Sequence, residues 1–158
     1  MSSVALQTAL SLPGRALLGG AAGLLATLAV DVVLRWLPEG TTVPYVAAGA
    51  LSDASLSSVS HRLAVVVHYG AGTGSGLLFA ALGLAVEGLS GLSPLLSFLV
   101  AALVQLPLMI VFFSYIVVPT YGRVPSERVG RLRRDWALSA TVYIVTLTIL
   151  VAVPVSAA

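Results

Sequence analysis

The side chains in this chain whose types and spacing could do chemistry are few. Asp31 and Arg35 stand four residues apart in one apolar run, and His68 stands in the next. A charge inside a membrane span costs at least about 2.5 kcal/mol at the bilayer centre, so such residues face a bundle interior and pair. One reading of Asp31 and Arg35 is an ion pair one helical turn apart, with Arg35 snorkelling to lipid headgroups. The other places Asp31 in a proton or ion site. Asp31 lies six residues before Leu37, and His68 lies six residues after Arg62. At about 1.5 Å per residue, both sit about 9 Å below one surface if the two helices are antiparallel neighbours. A carboxylate beside an imidazole makes a proton-sensitive pair. The plainer reading is a histidine hydrogen-bonded for packing.

The same depth in the third and fourth runs holds Ser114 and Tyr115, and Thr141 and Tyr143. Together these residues form a polar layer, either a substrate vestibule or interhelical hydrogen bonding, whose contacts average only about 0.6 kcal/mol each. Gln105 falls near the middle of the third run, level with Ser75 and with Thr146 or Thr148. An amide in hydrocarbon needs partners, so Gln105 is expected to face inward as interhelical glue.

Other chemistry is missing. The chain has no cysteine, which removes disulfides, thiolate metal sites and cysteine nucleophiles. No paired catalytic carboxylates occur. His61 and His68 share a helical face, but catalytic zinc normally takes three protein ligands, and nothing else supports a haem. No enzyme activity, cofactor or metal is expected.

The run Tyr69–Gly76 carries Gly70, Gly72, Gly74 and Gly76. Gly70/Gly74 and Gly72/Gly76 are small-xxx-small pairs on nearly opposite faces, so neighbours can approach the helix on both sides. Gly19/Gly23 in the first run offers a matching flat face, and the two runs are expected to pack there. A dinucleotide site needs a strand before its glycines and a soluble βαβ unit around them. A locally unwound, ion-binding helix is the rarer alternative.

The elements that hold these residues follow from composition. Of 158 residues, 58% are hydrophobic and 9% are charged, and the mean hydropathy is +1.04. Soluble domains carry about 25% charged residues. A chain this poor in charge cannot cover a water-facing surface, so its solvent is lipid. The net charge of +2 is too weak to imply nucleic acid as a partner. Four stretches reach the roughly 20 residues a transmembrane helix needs, at about 15–37, 62–87, 93–118 and 135–156. The predicted fold is all-α, a single domain of four antiparallel transmembrane helices. Residues 1–14 hold no Lys or Arg, so the positive start of a cleavable signal peptide is missing and the first span is expected to be retained. Pro94 suits a first helical turn, Pro38 and Pro119 follow helix ends, and Pro107 should kink the third span. The apolar stretch Tyr45–Leu51 in the first loop is expected to lie on the membrane.

Basic residues orient the bundle. Loops 38–61 and 119–134 with their flanks hold Arg35, Arg62, Arg123, Arg128, Arg131, Arg133 and Arg134, while Arg15 alone lies on the other side. Those loops are therefore predicted cytoplasmic, in the plasma membrane, with both termini outside. Trp36 and Trp136 mark the same interface. Ser126 can cap a short helix running into the last span. Arg128, Arg131 and Arg134 form a stripe that attracts anionic lipid at about 1 kcal/mol per residue; the alternatives are a plain topology signal or a partner's docking site.

The string Gly23, Ala26, Thr27 and Asp31, followed by His68, Tyr69, Gly70, Gly74 and Phe79, resembles the small YagU-like membrane proteins of unknown function. The resemblance covers the first two spans. It implies a compact four-helix membrane protein and supplies no substrate. The first functional expectation is a structural or accessory subunit, or a homo-oligomer. Four short helices would enclose little space in one chain, so an oligomer would be needed to make a pathway. The alternative is a small proton, ion or solute transporter or channel lined by Asp31, His68, Gln105 and Tyr115.

Overall fold

The computed structural model describes residues 11–121 and 123–156. Helix α1 (Leu12–Leu34) starts where the Ser11 hydroxyl accepts the Gly14 N–H at 3.2 Å, with a proline in its first turn. Helix α2 (Thr42–Ser52) follows. Helix α3 (His61–Ser90) is capped by the Ser60 hydroxyl and ends at Gly91, whose φ of 68° only glycine adopts without strain. Helix α4 (Pro94–Phe112) runs into a π-helical turn (Phe113–Val117) and the short helix α5 (Val118–Tyr121). Helix α6 spans Ser126–Ser156. Four stretches, Leu12–Leu34, His61–Ser90, Pro94–Val117 and Ser126–Pro154, are long and apolar enough to cross a membrane. The shortest holds 23 residues, about 34 Å of helix against a hydrocarbon core of about 30 Å.

The spans differ from their sequence-read bounds mainly at the ends. The first begins three residues early because Ser11 and Pro13 start it, and the chain turns after Leu34. The last absorbs the arginine-rich segment as continuous helix from Ser126. The apolar stretch of the first loop is part of α2, which buries Val46 and Ala48 within the protein.

The long helices form a ring in which α1 and α4 each pack on α3 and α6. The closest seam joins α1 to α3. A Cβ on Gly19 would stand 2.6 Å from both Ala80 Cβ and the Gly76 carbonyl oxygen. A Cβ on Gly23 would stand 2.6 Å from the Gly72 carbonyl oxygen, and one on Gly72 would run into Thr27. Only residues without side chains let two helix backbones come this close. On the other face of α3, Gly70 and Gly74 have nothing within 4 Å of a built Cβ. Of the two glycine faces, one is used within the chain and one is left open.

Farther along α3, Phe79 and Phe98 stack at 5.5 Å, and Phe98 fills the space a side chain at Gly83 would need. This pair anchors the main core with Ala26, Leu147 and Val151. A second cluster joins Val43 and Val46 of α2 to Phe113, Val117 and Leu132. Helix α2 thereby lies across one end of the bundle.

Candidate functional site

Asp31, near the end of α1, meets two consecutive residues near the start of α3. His68 Nε2 lies 2.8 Å from Asp31 Oδ1, and the Tyr69 hydroxyl donates to Asp31 Oδ2. The dyad is largely enclosed, with the His68 side chain 17% and the Asp31 side chain 29% exposed. The rings of His68 and Tyr69 meet edge-on at 5.4 Å. Both carboxylate oxygens are thus taken by α3. Arg35, the other half of the ion pair considered above, is the exposed C-cap of α1.

His68 also lines a half-open cavity of about 650 Å³ bounded by α1, α2, α3, α4, the π turn and α6. Its walls are mainly apolar and aromatic, including Val43 and Ala47 of α2, Phe112, Phe113, Trp136 and Tyr143. That volume falls within the range of small-molecule sites. A single chain therefore forms more space than its four helices were expected to leave. The reason is α2, which roofs the gap between helices where a bare loop was expected.

The π turn shapes one wall. Widening a helix by one residue per turn loosens its own hydrogen bonding and frees carbonyls, and such turns concentrate at functional sites. Here Ser114 O, within the turn, accepts Arg133 Nε–H at 2.9 Å, and Met109 O, just before it, accepts Trp136 Nε1–H at 3.0 Å in addition to the Phe113 N–H. Phe113 and Trp136 stack at 4.3 Å, which fixes the indole against the cavity.

Below this level Gln105 is buried, and its Nε2 donates to Ser75 Oγ at 2.7 Å and Ser75 O at 3.0 Å. Tyr143 donates to Gly72 O at 2.6 Å. The buried acceptor Gln105 Oε1 and the hydroxyl of Ser114 have no partner among the described residues. Asp31, His68, Ser75, Gln105 and Tyr143 are thus linked to one cavity wall or stand just behind it. Tyr115 is not among them. It is 63% exposed on the outer surface, with the Arg133 guanidinium 4.7 Å over its ring. Neighbouring helical side chains point about 100° apart, so with Ser114 facing inward Tyr115 faces outward.

The arginine stripe is partly committed inside the protein. Arg128 holds buried Glu39 through Nε–Oε1 at 3.0 Å and Nη2–Oε2 at 2.5 Å, and it also reaches Thr42. Arg131 lies 3.6 Å from the same carboxylate. The Arg128 guanidinium holds the Glu39 carboxyl below its ordinary range, against a smaller opposing effect of burial. The Glu39 N–H donates to Asp135 Oδ2 at 2.7 Å, and Asp135 in turn takes Arg134. Glu39 and Asp135 escape a sequence reading because their partners lie 89 and 96 residues away. At the far end of the α1–α3 seam, Arg15 Nη1 pairs with Glu87 Oε2 at 2.5 Å. The depth count that joined Asp31 to His68 would have joined these two as well.

His61 bonds the Tyr45 hydroxyl at 3.0 Å, apart from the His68 site. Among the described residues no group of three or more His, Asp or Glu side chains is gathered to hold a metal ion. Compared with protein-family models, curated proteins and solved structures, the chain matches none of them, so the likeness to YagU-like proteins rests on the residues quoted for it.

Proposed function

We propose that this is a multi-pass plasma-membrane protein of four antiparallel transmembrane helices that binds and moves a small solute through a proton-linked site built on Asp31 and His68. The observation that carries the reading is the double engagement of His68: one ring nitrogen is held by Asp31, and the ring lines the cavity. Aspartate and histidine side chains inside spans build the proton relays of pumps and transporters. Ionisable residues inside spans are rare, and they mark solute and proton pathways.

The orientation places loops 38–61 and 119–134 in the cytoplasm and both termini outside, supported by the arginine count. Because the chain has no cysteine, a single Ser57→Cys substitution in exposed loop sequence gives a unique label for testing it. Labelling from the outside of intact cells would sink this orientation. The remaining exposed faces of Arg131 and Arg134 suit anionic headgroups, while Arg128 is committed to Glu39.

The test of the carrier reading uses proteoliposomes loaded with a pH-sensitive dye and challenged with a panel of neutral and charged small solutes. Solute-dependent proton movement should appear, vanish in Asp31→Asn and persist in Arg35→Gln. Equal movement in wild type and Asp31→Asn removes Asp31 from the mechanism.

A second reading, a homo-oligomer or accessory subunit of a larger complex, is favoured by the open Gly70/Gly74 face of α3. Native mass in mild detergent separates the cases. A stoichiometric foreign chain would assign the protein to a complex, and a self-associated form would use that face.

A further inference from the structure

The hydrogen-bonding state of the cavity wall specifies what can occupy it. Every hydroxyl on that wall has spent its hydrogen inside the protein. Thr27 donates to Gly23 O at 2.8 Å, Ser139 to Asp135 O at 2.8 Å and Tyr143 to Gly72 O at 2.6 Å. Ser75 is turned to Met109 Sδ at 3.7 Å while accepting from Gln105. The indole N–H of Trp136 is used by Met109 O. In the neutral tautomer that donates from Nε2 to Asp31, His68 Nδ1 presents a lone pair, and it has no partner among the described residues. The cavity therefore offers acceptors and almost no donors. A ligand whose polar group only accepts would leave those lone pairs unmatched.

The charges around the cavity agree. No arginine lines it. Arg15, Arg123, Arg128 and Arg134 are paired with carboxylates, and Arg133 is turned to Ser114 O and the Tyr115 ring. The ionisable groups that face Asp31 are His68 and Tyr69 of α3 and, four residues along its own helix, Arg35; across the cavity α6 supplies Tyr143, and the α2 and α4 walls supply none. Phe112, Phe113, Trp136 and Tyr143 put aromatic rings on the wall, and aromatic faces attract cations. An acceptor-rich, aromatic, apolar chamber with a carboxylate one hydrogen bond behind its wall fits a molecule with an apolar body and a positively charged donor.

We infer that the cavity takes a lipophilic organic amine in its protonated form, its ammonium directed to His68 and Asp31 and its apolar body against the Phe113–Trp136 stack. This rests on the reading of the cavity as a solute site. The probes are three isosteres: 1-aminoadamantane, 1-adamantanol and adamantane-1-carboxylate. They share one apolar cage and differ in polar group. Trp136 reports binding once exposed Trp36 is replaced in the Trp36→Phe background. The amine should bind about tenfold more tightly than the alcohol, and the carboxylate should give no saturable signal. Asp31→Asn should weaken the amine about tenfold and leave the alcohol unchanged. Where Asp31→Asn does not fold, Phe112→Leu serves instead, and should weaken the amine more than the alcohol. Ala47→Phe, which fills the cavity, should remove both. The inference is overturned if the carboxylate binds as well as the amine, if the amine is no tighter than the alcohol, if none of the three binds, or if Ala47→Phe leaves amine binding intact. Saturable amine binding without proton-linked movement in liposomes leaves the ligand class standing and removes the carrier reading. Proton-linked movement of another solute without amine binding does the reverse.

Discussion

Gly23 of α1 and Gly76 of α3 meet backbone to backbone: a Cβ on Gly23 would stand 2.9 Å from Gly76 Cα. The contact sets the distance between the two helices that carry Asp31 and His68, and so sets the geometry of the dyad.

Gly76→Ala should therefore lower stability by about 1–3 kcal/mol, because the new methyl meets Gly19 and Gly23 main chain that cannot turn away. Gly70→Ala, on the open face, should be neutral or gain up to about 1 kcal/mol from helix propensity. Thermal unfolding in mild detergent compares them. Equal melting temperatures would mean that the seam is looser than described.

Glu39→Gln should release the first loop from α6. The wild-type carboxyl is held below its ordinary range by Arg128, so its stabilisation is fully present at neutral pH. It is lost only as pH falls beneath the ordinary carboxylate range and through the depressed value. Proteolysis of the 38–61 loop, followed against pH, should rise in that acid window for wild type. It should already be high at pH 7 for Glu39→Gln.

Removing Glu87 alone leaves Arg15 buried without a counter-charge. Glu87→Met should cost about 2–4 kcal/mol, and adding Arg15→Met should restore part of it, since two apolar residues tolerate the site better than one uncompensated charge. A double mutant less stable than Glu87→Met would contradict this account.

Gln105→Leu should cost less than about 1 kcal/mol despite losing two hydrogen bonds to Ser75. The substitution also removes an acceptor, Oε1, that is buried without a partner among the described residues. Polar contacts between membrane helices are worth little on average. A loss of several kcal/mol would point to a bound water or ligand on Oε1.

The four long apolar helices were legible in the sequence because hydropathy and length report them directly. So was the level of Asp31 and His68, since distance from a helix end is a count of residues. Depth is not direction, however. The count put Ser114 and Tyr115 at one height, and the structure turns Ser114 in and Tyr115 out. The π turn left no trace in composition, because it is a change in hydrogen-bond register that any apolar residues can adopt. The cavity was invisible for a related reason: it depends on α2 folding back over the bundle, held by Glu39 contacts with Arg128 and Asp135 that join distant parts of the chain.

The seam of Gly19, Gly23 and Thr27 against Gly72, Gly76 and Ala80 also bears on how such a chain could be recognised. Lipid-facing leucines and valines are interchangeable, since any apolar side chain serves there, and sequences built from them drift without altering the fold. The seam glycines have no such latitude, because Gly19, Gly23 and Gly76 are limited by main chain a few ångströms away and Gly72 by the Thr27 side chain. A protein with this architecture would carry its signature in where it lacks side chains: small residues four apart in the first two spans, at matching depths, with a carboxylate one turn beyond Thr27 and an imidazole one turn before Gly72.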